Sequence, residues 1–207
     1  MPRKVFDRLT SWVGVVLVVV LVVAGGLLTW GHSYVNSNVH NQLAMQQIYF
    51  PQASVWKTAT KNNTGEIQER MIPYLKKYSG EELLTGDQAE AYADHFIAYH
   101  LAAMPYGGVY AKVSAANQAA LAKAPGSAAQ LKLAAEEATV FQGTTLRGLL
   151  LEAYGFSQMG VVLLWGAIAS FIGALILALL VGLGFRHAAQ VPEEQEILTS
   201  HRVAATA

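Results

Sequence analysis

Two long stretches without charged residues constrain this sequence more than any other feature. The first, residues 9–30, is almost continuously apolar and carries eight valines between Val13 and Val23. Its 22 residues match the length of about 20 that a helix needs to cross a bilayer. The second, residues 159–185, is longer than a bilayer requires, so its first residues are expected to pack above the lipid. Because lipid offers the backbone no hydrogen-bond partner, both stretches are predicted to be transmembrane helices.

Composition supports this interpretation and excludes several functional classes. The chain of 207 residues is 53% hydrophobic and only 14% charged, with 14 basic and 14 acidic residues. Disordered chains have low hydrophobicity and high net charge, and nucleic-acid-binding proteins usually carry a basic excess. Neither description fits, so no nucleic-acid partner is expected. The sequence contains no cysteine, which excludes disulfides, zinc–thiolate sites and cysteine nucleophiles.

The distribution of basic residues predicts the orientation of the two spans. Trp12 and Trp30 are 18 residues apart, about 27 Å along a helix, which suits the aromatic belts of one membrane. Basic residues near the spans are concentrated towards the chain ends: Arg3, Lys4, Arg8 and Arg186, against Arg147 in the loop. Such residues favour the cytoplasmic side. We therefore predict a plasma-membrane protein with a cytoplasmic N-terminus (1–8), spans at 9–30 and 159–185, an extracytoplasmic domain (31–158) and a cytoplasmic tail (186–207).

Cleavage of the first span as a signal peptide is an alternative. Ala24 and Gly26 place small residues after an apolar run, as processing sites do. The apolar run nevertheless continues to Trp30, which favours an uncleaved anchor.

Helical signals predominate in the segment between the spans. The first helix is expected to continue to about Tyr49, where Pro51 stops it, and a short helix is expected from Pro73 to Gly80. Thr85 and Gln88 form a capping-box pattern ahead of an apolar stripe. Further helices are predicted at 109–123 and 127–142, with a separate stretch from Thr144 leading into the second span. The predicted fold is all-α: two transmembrane helices flanking an extracytoplasmic helical bundle.

The residues that suggest chemistry lie after Thr85. Glu90, Asp94, His95 and His100 follow one another on the predicted helix. The two histidines are five residues apart, about 140° around an unbroken helix, so they cannot both bind one ion. His32 and His40 from the first helix could complete a set of two histidines and a carboxylate. Otherwise these histidines would cap helices, bond neighbouring side chains or face water.

No other pattern indicates catalysis or a cofactor. The sequence has no glycine-rich phosphate loop, no Gly-x-Ser-x-Gly elbow and no His-Glu-x-x-His motif. Glu136 and Glu137 are interpreted as a solvated helix face. Glu152 lies close to the second span and is a candidate near-membrane carboxylate that could pair with Arg147 or with another cation of the loop. The chain is therefore expected not to be an enzyme and to need no cofactor.

Small residues recur at intervals of three and four in the second span. Such a pattern lets another helix approach closely. The opposing surface would come from Gly14 and Gly25 of the first span, or from a second copy or another membrane protein. The predicted helix-packing residues are Gly166, Ser170, Gly173, Ala174, Ala178 and Gly182.

With this layout the chain resembles a group of small two-span membrane proteins of actinobacteria whose function is uncharacterised. The similarity rests on residues 47–51, on 85–96 (TGDQAEAYADHF) and on 145–154 (TLRGLLLEAY). Members of that group are sometimes labelled aromatic ring-opening dioxygenases. The label implies an iron site of two histidines and a carboxylate, but the sequence matches no known motif for one.

Three functional hypotheses follow. The first is a non-enzymatic accessory protein whose partners are the lipid bilayer and a membrane or envelope protein, or a second copy. The second is a metal-dependent or redox enzyme using His95 or His100 with Glu90 or Asp94. The third is a ligand sensor, which would act through a separate partner because the tail, with Glu193, Glu194 and Glu196, is too short for an output domain.

Overall fold

The computed structural model describes residues 3–61 and 65–190, and this part of the chain is all-α. Most of the predicted cytoplasmic tail (186–207), including Glu193, Glu194 and Glu196, lies outside the described residues. Met1 and Pro2 also lie outside them. The described helices, in chain order, are α1 (Arg3–Ala44), α2 (Ile72–Leu75), α3 (Gly86–Tyr92), α4 (Ala98–Ala102), α5 (Tyr110–Lys123) and α6 (Ala128–Gln190). The described residues form two compact units, one of residues 3–33 with 161–190 and one of residues 34–61 with 65–160.

The first unit is an antiparallel pair formed by the start of α1 and the end of α6. Ser11 lies beside Gly184, and Leu28 lies beside Gly166, so residue numbers fall along one helix as they rise along the other. The rings of Trp12 and Phe185 meet edge to face, with centroids 5.9 Å apart. Close approach is possible because glycine on one helix faces a larger side chain on the other.

The contact between these two helices follows a heptad pattern. The less exposed residues alternate at spacings of three and four, which is typical of left-handed helix packing. On α6 they are Leu163, Ala167, Ser170, Ala174, Leu177, Val181, Gly184 and Ala188, and on α1 they are Lys4, Asp7, Ser11, Gly14, Val18, Leu21, Gly25, Leu28 and His32.

The rest of the apolar surface of these helices is not covered by any other residue that the structure describes. Both helices are long and apolar enough to cross a membrane, with mean hydropathies of 2.7 and 2.5 in their most apolar windows. Only 11% and 6% of the residues in those windows are buried. A core helix of a soluble protein would have most of this surface covered by other elements.

The second unit has one main hydrophobic core. The short helices between α1 and α5 surround it, and Leu150 of α6 and Val39 and Leu43 of α1 close it. Its largest fully buried side chains include Phe50, Met71, Leu75 and Leu83. The indole nitrogen of Trp56 donates a hydrogen bond to Ser79 Oγ, 2.7 Å away, which satisfies the one polar group of that buried ring.

Helix α1 ends earlier than the sequence suggested. It stops at Ala44 rather than near Tyr49, and Gln47 adopts a positive φ of 51°. The chain then runs extended beside residues 81–83, where Phe50 N–H donates to Glu81 O and Leu83 N–H donates to Ile48 O. These long-range backbone bonds replace the helical ones, which is why a local pattern did not reveal the end of the helix.

The predicted helix start at Thr85 is confirmed in detail. Thr85 Oγ1 accepts from Gln88 N–H, and the Gln88 side chain accepts from the backbone N–H of Thr85, which completes a capping box. The predicted short helix after Pro73 forms as α2 and a following 3₁₀ turn, Lys76–Tyr78. Gly80 ends that segment with φ +74°.

Helix α6 is continuous where two segments were expected. It runs through Gly143 and Thr144 for 63 residues, about 95 Å. Gly143 lies within the helix. Its missing Cβ makes room for Leu101, whose Cδ2 would lie only 2.8 Å from a Cβ at this position. This glycine therefore serves packing rather than termination.

Candidate functional site

The helix that follows Thr85 contains a π-helical turn at Ala93–Ile97, between α3 and α4. Ala98 N–H donates to Ala93 O, five residues back, whereas an α-helix would use the residue four back. Such turns are frequent at functional sites. Asp94 and His95 lie inside this turn, and His100 follows it. The sequence analysis treats the helix between the two histidines as a regular α-helix, and the π-helical turn interrupts that regularity.

Asp94 is held by a cation from a distant part of the chain. Its Oδ1 lies 2.6 Å from Arg147 Nη2 on α6, and the two side chains are 33% and 39% exposed. Nε of Arg147 is buried without a hydrogen-bond partner. Arg147 therefore forms its ion pair with Asp94 and not with Glu152.

His95 lies in an aromatic cluster. Its ring stacks on Tyr74 at a centroid distance of 3.5 Å and an interplanar angle of 6°. Its Nδ1 lies 3.1 Å from the hydroxyl of Tyr99. The guanidinium of Arg70 lies over the ring of Tyr99, 4.1 Å from its centroid, and donates a hydrogen bond to the backbone carbonyl of Tyr99. No local sequence pattern indicates this cluster, because Arg70 and Tyr74 precede His95 by more than twenty residues.

His100 has different partners from His95. Its Nδ1 lies 2.7 Å from the carbonyl oxygen of Phe96, and because a carbonyl can only accept, Nδ1 carries the hydrogen. Its ring also contacts the Phe96 ring, at 4.5 Å between centroids. His100 thus bonds the backbone within its own helix.

The proposed metal site does not assemble in the part of the chain that the structure describes. Within residues 3–61 and 65–190, no three residues of the histidine, cysteine, aspartate and glutamate types come together in a way that could hold a metal ion. Asp94 is engaged with Arg147, and the two histidines bond to Tyr99 and to a backbone carbonyl. These residues do not fit the iron centre of a ring-opening dioxygenase.

Four of the six predicted helix-packing residues lie on the α1–α6 contact. Gly166 faces Leu28, Gly173 faces Leu21, and Ala174 is buried, with Ser170 half-buried between them. Ala178 and Gly182 are exposed, and nothing lies within 4 Å of a Cβ at Gly182. Repeated steps of four advance about 40° around a helix each time, so the predicted stripe leaves the contact. Gly14 and Gly25 are both buried on the opposing helix.

A groove in the second unit was not predicted from the sequence. It has a volume of about 470 Å³ and lies between residues 34–46, which are the end of α1 and the turn after it, and residues 146–156 of α6. The first segment contributes three amides, and the second contributes an apolar surface and one carboxylate. Its lining residues are Tyr34, Val35, Asn38, Val39, Gln42, Leu43, Gln46, Leu146, Leu149, Leu150, Glu152, Ala153 and Phe156.

Polar side chains join α5 to the first turns of α6. Asn117 donates to Glu137, 2.7 Å away, and accepts from the buried Gln130 amide at 3.1 Å. Hydrogen bonds from Ser114 and Asn117 hold the pKa of Glu137 below its ordinary value. Glu137 is therefore hydrogen-bonded to α5 while it still lies on a solvated helix face. Glu136 forms a helical ion pair with Lys132, at 3.8 Å.

Burial changes the pKa of one tyrosine beside the π-helical turn. Desolvation raises the pKa of Tyr92, and the negative charge of Glu66 acts in the same direction. The phenol therefore stays protonated at neutral pH, and its ring contacts Phe50 edge to face. The Tyr92 ring also stacks on Phe96, with centroids 4.6 Å apart, so Tyr92 packs within this aromatic cluster.

The fold and site define an all-α protein with two helices that are long and apolar enough to cross a membrane. Comparison with known protein families, with curated proteins and with solved structures gave no match. The function must therefore be argued from the molecule's own geometry.

Proposed function

We propose that this chain is an integral membrane protein with both termini in the cytoplasm, whose exported helical domain binds another envelope component without catalysing a reaction. The observation that carries the proposal is the uncovered apolar surface of the helix pair. With 11% and 6% of the residues buried in their apolar windows, these helices need a surrounding apolar solvent. Lipid supplies it, and burying such surface is favourable by about 25 cal/mol per Å².

The antiparallel pairing supports a hairpin topology. It places Ser11 beside Gly184, so both ends of the helix pair emerge on the same side of a membrane. Lys4, Arg8 and Arg186 lie at this end of the pair. By the positive-inside rule this end belongs in the cytoplasm, which leaves residues 31–158 outside.

The interaction role rests on the surface of the exported domain. The α5–α6 hairpin displays the rings of Tyr110 and Phe141, which are 43% and 57% exposed and contact each other at 5.8 Å. Leu131, farther along the hairpin, is 59% exposed. An exposed pair of aromatic rings such as Tyr110 and Phe141 is typical of protein contact surfaces.

An engineered disulfide tests the helix pairing. The Cβ of Ser11 lies 3.9 Å from the position of a Cβ at Gly184, within the range of about 3.5–4.5 Å that a disulfide needs. Ser11→Cys with Gly184→Cys should therefore crosslink on mild oxidation. Because the chain has no other cysteine, no background must be removed. The matched control is Ser11→Cys with Gly182→Cys, which should remain reduced; crosslinking of both pairs to the same extent would contradict the pairing.

Single cysteines test the topology. Ser54 lies in the exported domain and Ala189 near the predicted cytoplasmic end, and both are exposed. In intact cells a membrane-impermeant maleimide should label Ser54→Cys and not Ala189→Cys, which should react only after permeabilisation. The reverse pattern, or labelling of both, would refute the orientation. An intact mass that retains the first span would exclude signal-peptide cleavage.

Co-purification tests the interaction role. Purification in mild detergent should return a stoichiometric partner or a second copy, and Phe141→Asp should reduce its recovery several-fold. Lys132→Asp, on the same helix, is the control and should leave recovery unchanged. A protein that is repeatedly recovered alone, with no self-association, would remove the support for this role.

A further inference from the structure

We propose that the groove between residues 34–46 and 146–156 binds one elongated amphiphile that carries a positively charged amine head group. This inference rests on the proposed function only for the source of the ligand, which would be the outer leaflet of the membrane. The groove's volume of about 470 Å³ falls within the range of roughly 300–1,000 Å³ that small-molecule sites occupy.

The charge of the groove selects the head group. Glu152 is the one ionisable carboxylate in the lining, which includes no lysine, arginine or histidine. The nearest cation along the helix, Arg147, is paired with Asp94. An anionic amphiphile such as a fatty acid would meet only like charge here, whereas an ammonium group would gain a charge-assisted hydrogen bond.

The polar side chains of the lining have unused hydrogen-bonding capacity. The side chains of Asn38, Gln42, Gln46 and Glu152 make no hydrogen bond or ion pair with any residue in the described ranges 3–61 and 65–190. Asn38 and Gln42 lie four residues apart on one face of α1, and Gln46 lies in the turn that follows Ala44. A ligand with hydrogen-bonding groups near its head can use these amides.

The opposite side of the groove suits an apolar chain. Leu149 and Phe156 are 58% and 49% exposed, although they project from a helix into a concave surface. Leu150, beside them, belongs to the hydrophobic core. An alkyl chain lying against these residues would cover apolar surface that no element of the described chain covers.

The groove-lining residues of α1 begin shortly after the first span. Tyr34 follows Trp30 by four residues of the same helix. In the proposed topology Trp30 lies at the outer lipid interface, so the ligand that this inference considers is an amphiphile of the outer leaflet.

Photolabelling tests this site in the full-length protein, reconstituted in phosphatidylcholine nanodiscs. The probes are dodecylamine and dodecanoic acid, each carrying a diazirine on the alkyl chain, with crosslinks mapped by mass spectrometry. The amine should label peptides from 34–46 and 146–156, and unlabelled dodecylamine should displace it while dodecanoate does not. Equal labelling by both probes, or labelling confined to the spans, would overturn the proposal.

Two variants sharpen the result. Glu152→Gln should lower labelling by the amine about fivefold, because a charge-assisted hydrogen bond is lost, and Ala153→Phe should abolish it by filling the groove. Glu69→Gln removes the same charge from an exposed position outside the groove and should change nothing. The competition experiment with the unaltered protein decides the matter if Ala153→Phe fails to fold. Correct cysteine topology without amine labelling would refute this inference alone, whereas reversed topology would refute the proposed function.

Discussion

The close approach of Gly86 to α6 leads to a quantitative prediction. Gly86 is the first residue of α3 and is buried. A methyl group at this position would overlap with Cβ of Ser157 and lie 2.5 Å from its Oγ, with the Tyr154 Cα at 3.4 Å. Overpacking of this kind costs about 1–3 kcal/mol. Gly86→Ala should therefore destabilise the second unit.

The size of the effect follows from the length of this unit. For a domain of this size, 1 kcal/mol shifts the melting temperature by about 4 °C. Gly86→Ala should lower the melting temperature by about 4–12 °C, measured by near-ultraviolet circular dichroism in mild detergent. Gly148→Ala is the matched control, because nothing lies within 4 Å of a Cβ there. It should raise the melting temperature by about 2–4 °C, since alanine favours helix over glycine.

A second substitution separates the clash from other causes. Ser157→Gly removes both atoms that a methyl group at Gly86 would meet, leaving only an ordinary contact with Tyr154. The double variant should be more stable than the sum of the two single effects predicts, by about 1–2 kcal/mol. If Gly86→Ala melts at or above the parent temperature, or if Ser157→Gly brings no rescue, the close approach of α3 and α6 is wrong.

Three further predictions follow from the caps, the hairpin and the helix pair. Thr85→Ala should cost about 1 kcal/mol by removing the cap acceptor, which faster amide exchange in α3 would reveal. The pKa of Glu137 is lowered in the folded state, so its stabilising contribution is present above the ordinary value of 4.5 and is lost as the pH falls through the lowered pKa. Glu137→Gln should remove that part of the dependence of melting temperature on pH. Gly25→Ile should reduce the yield of the engineered span disulfide several-fold, because a Cβ there lies 2.9 Å from the Phe171 ring, while Gly26→Ile should leave it unchanged.

Local features of the fold could be predicted from the sequence because their causes are local. The capping box at Thr85 requires only residues three positions apart, and the all-α class follows from periodicity and composition. The end of α1 at Ala44 could not be predicted in this way. It depends on backbone bonds to residues 81–83, nearly forty positions away. Likewise, Gly143 looks like a helix-ending residue in the sequence, and only its contact with Leu101 shows that it serves packing.

The same distinction applies to the candidate site. The sequence placed Asp94, His95 and His100 on one helix, as the structure has them. It could not supply the partners, since Arg147 comes from 53 positions along the chain and Tyr74 from a separate helix. It also assumed regular α-helical geometry, which the π-helical turn does not follow.

The contact of the two apolar helices was only partly predictable. The spacing of small residues correctly predicted that Gly166, Ser170, Gly173 and Ala174 lie on the contact. Predicting that Gly184 and Ala188 also lie on it requires a strict heptad pattern. In that pattern, steps of three and four alternate and the contact stays on one side. The steps of four from Ala174 to Gly182 instead move out of the contact and leave Ala178 and Gly182 exposed.

The π-helical turn at Ala93–Ile97 has a consequence for how this chain is compared with others. Such a turn accommodates one residue more than an α-helix of the same rise, so it is equivalent to a single insertion within a helix. A protein of the same fold that lacks the turn would align with this one through a one-residue gap, and every later position of the helix would be rotated by about 100°. A gap is normally assigned to a loop, so histidine positions after the turn would be misaligned. Deleting Ala93 is the laboratory equivalent of that gap.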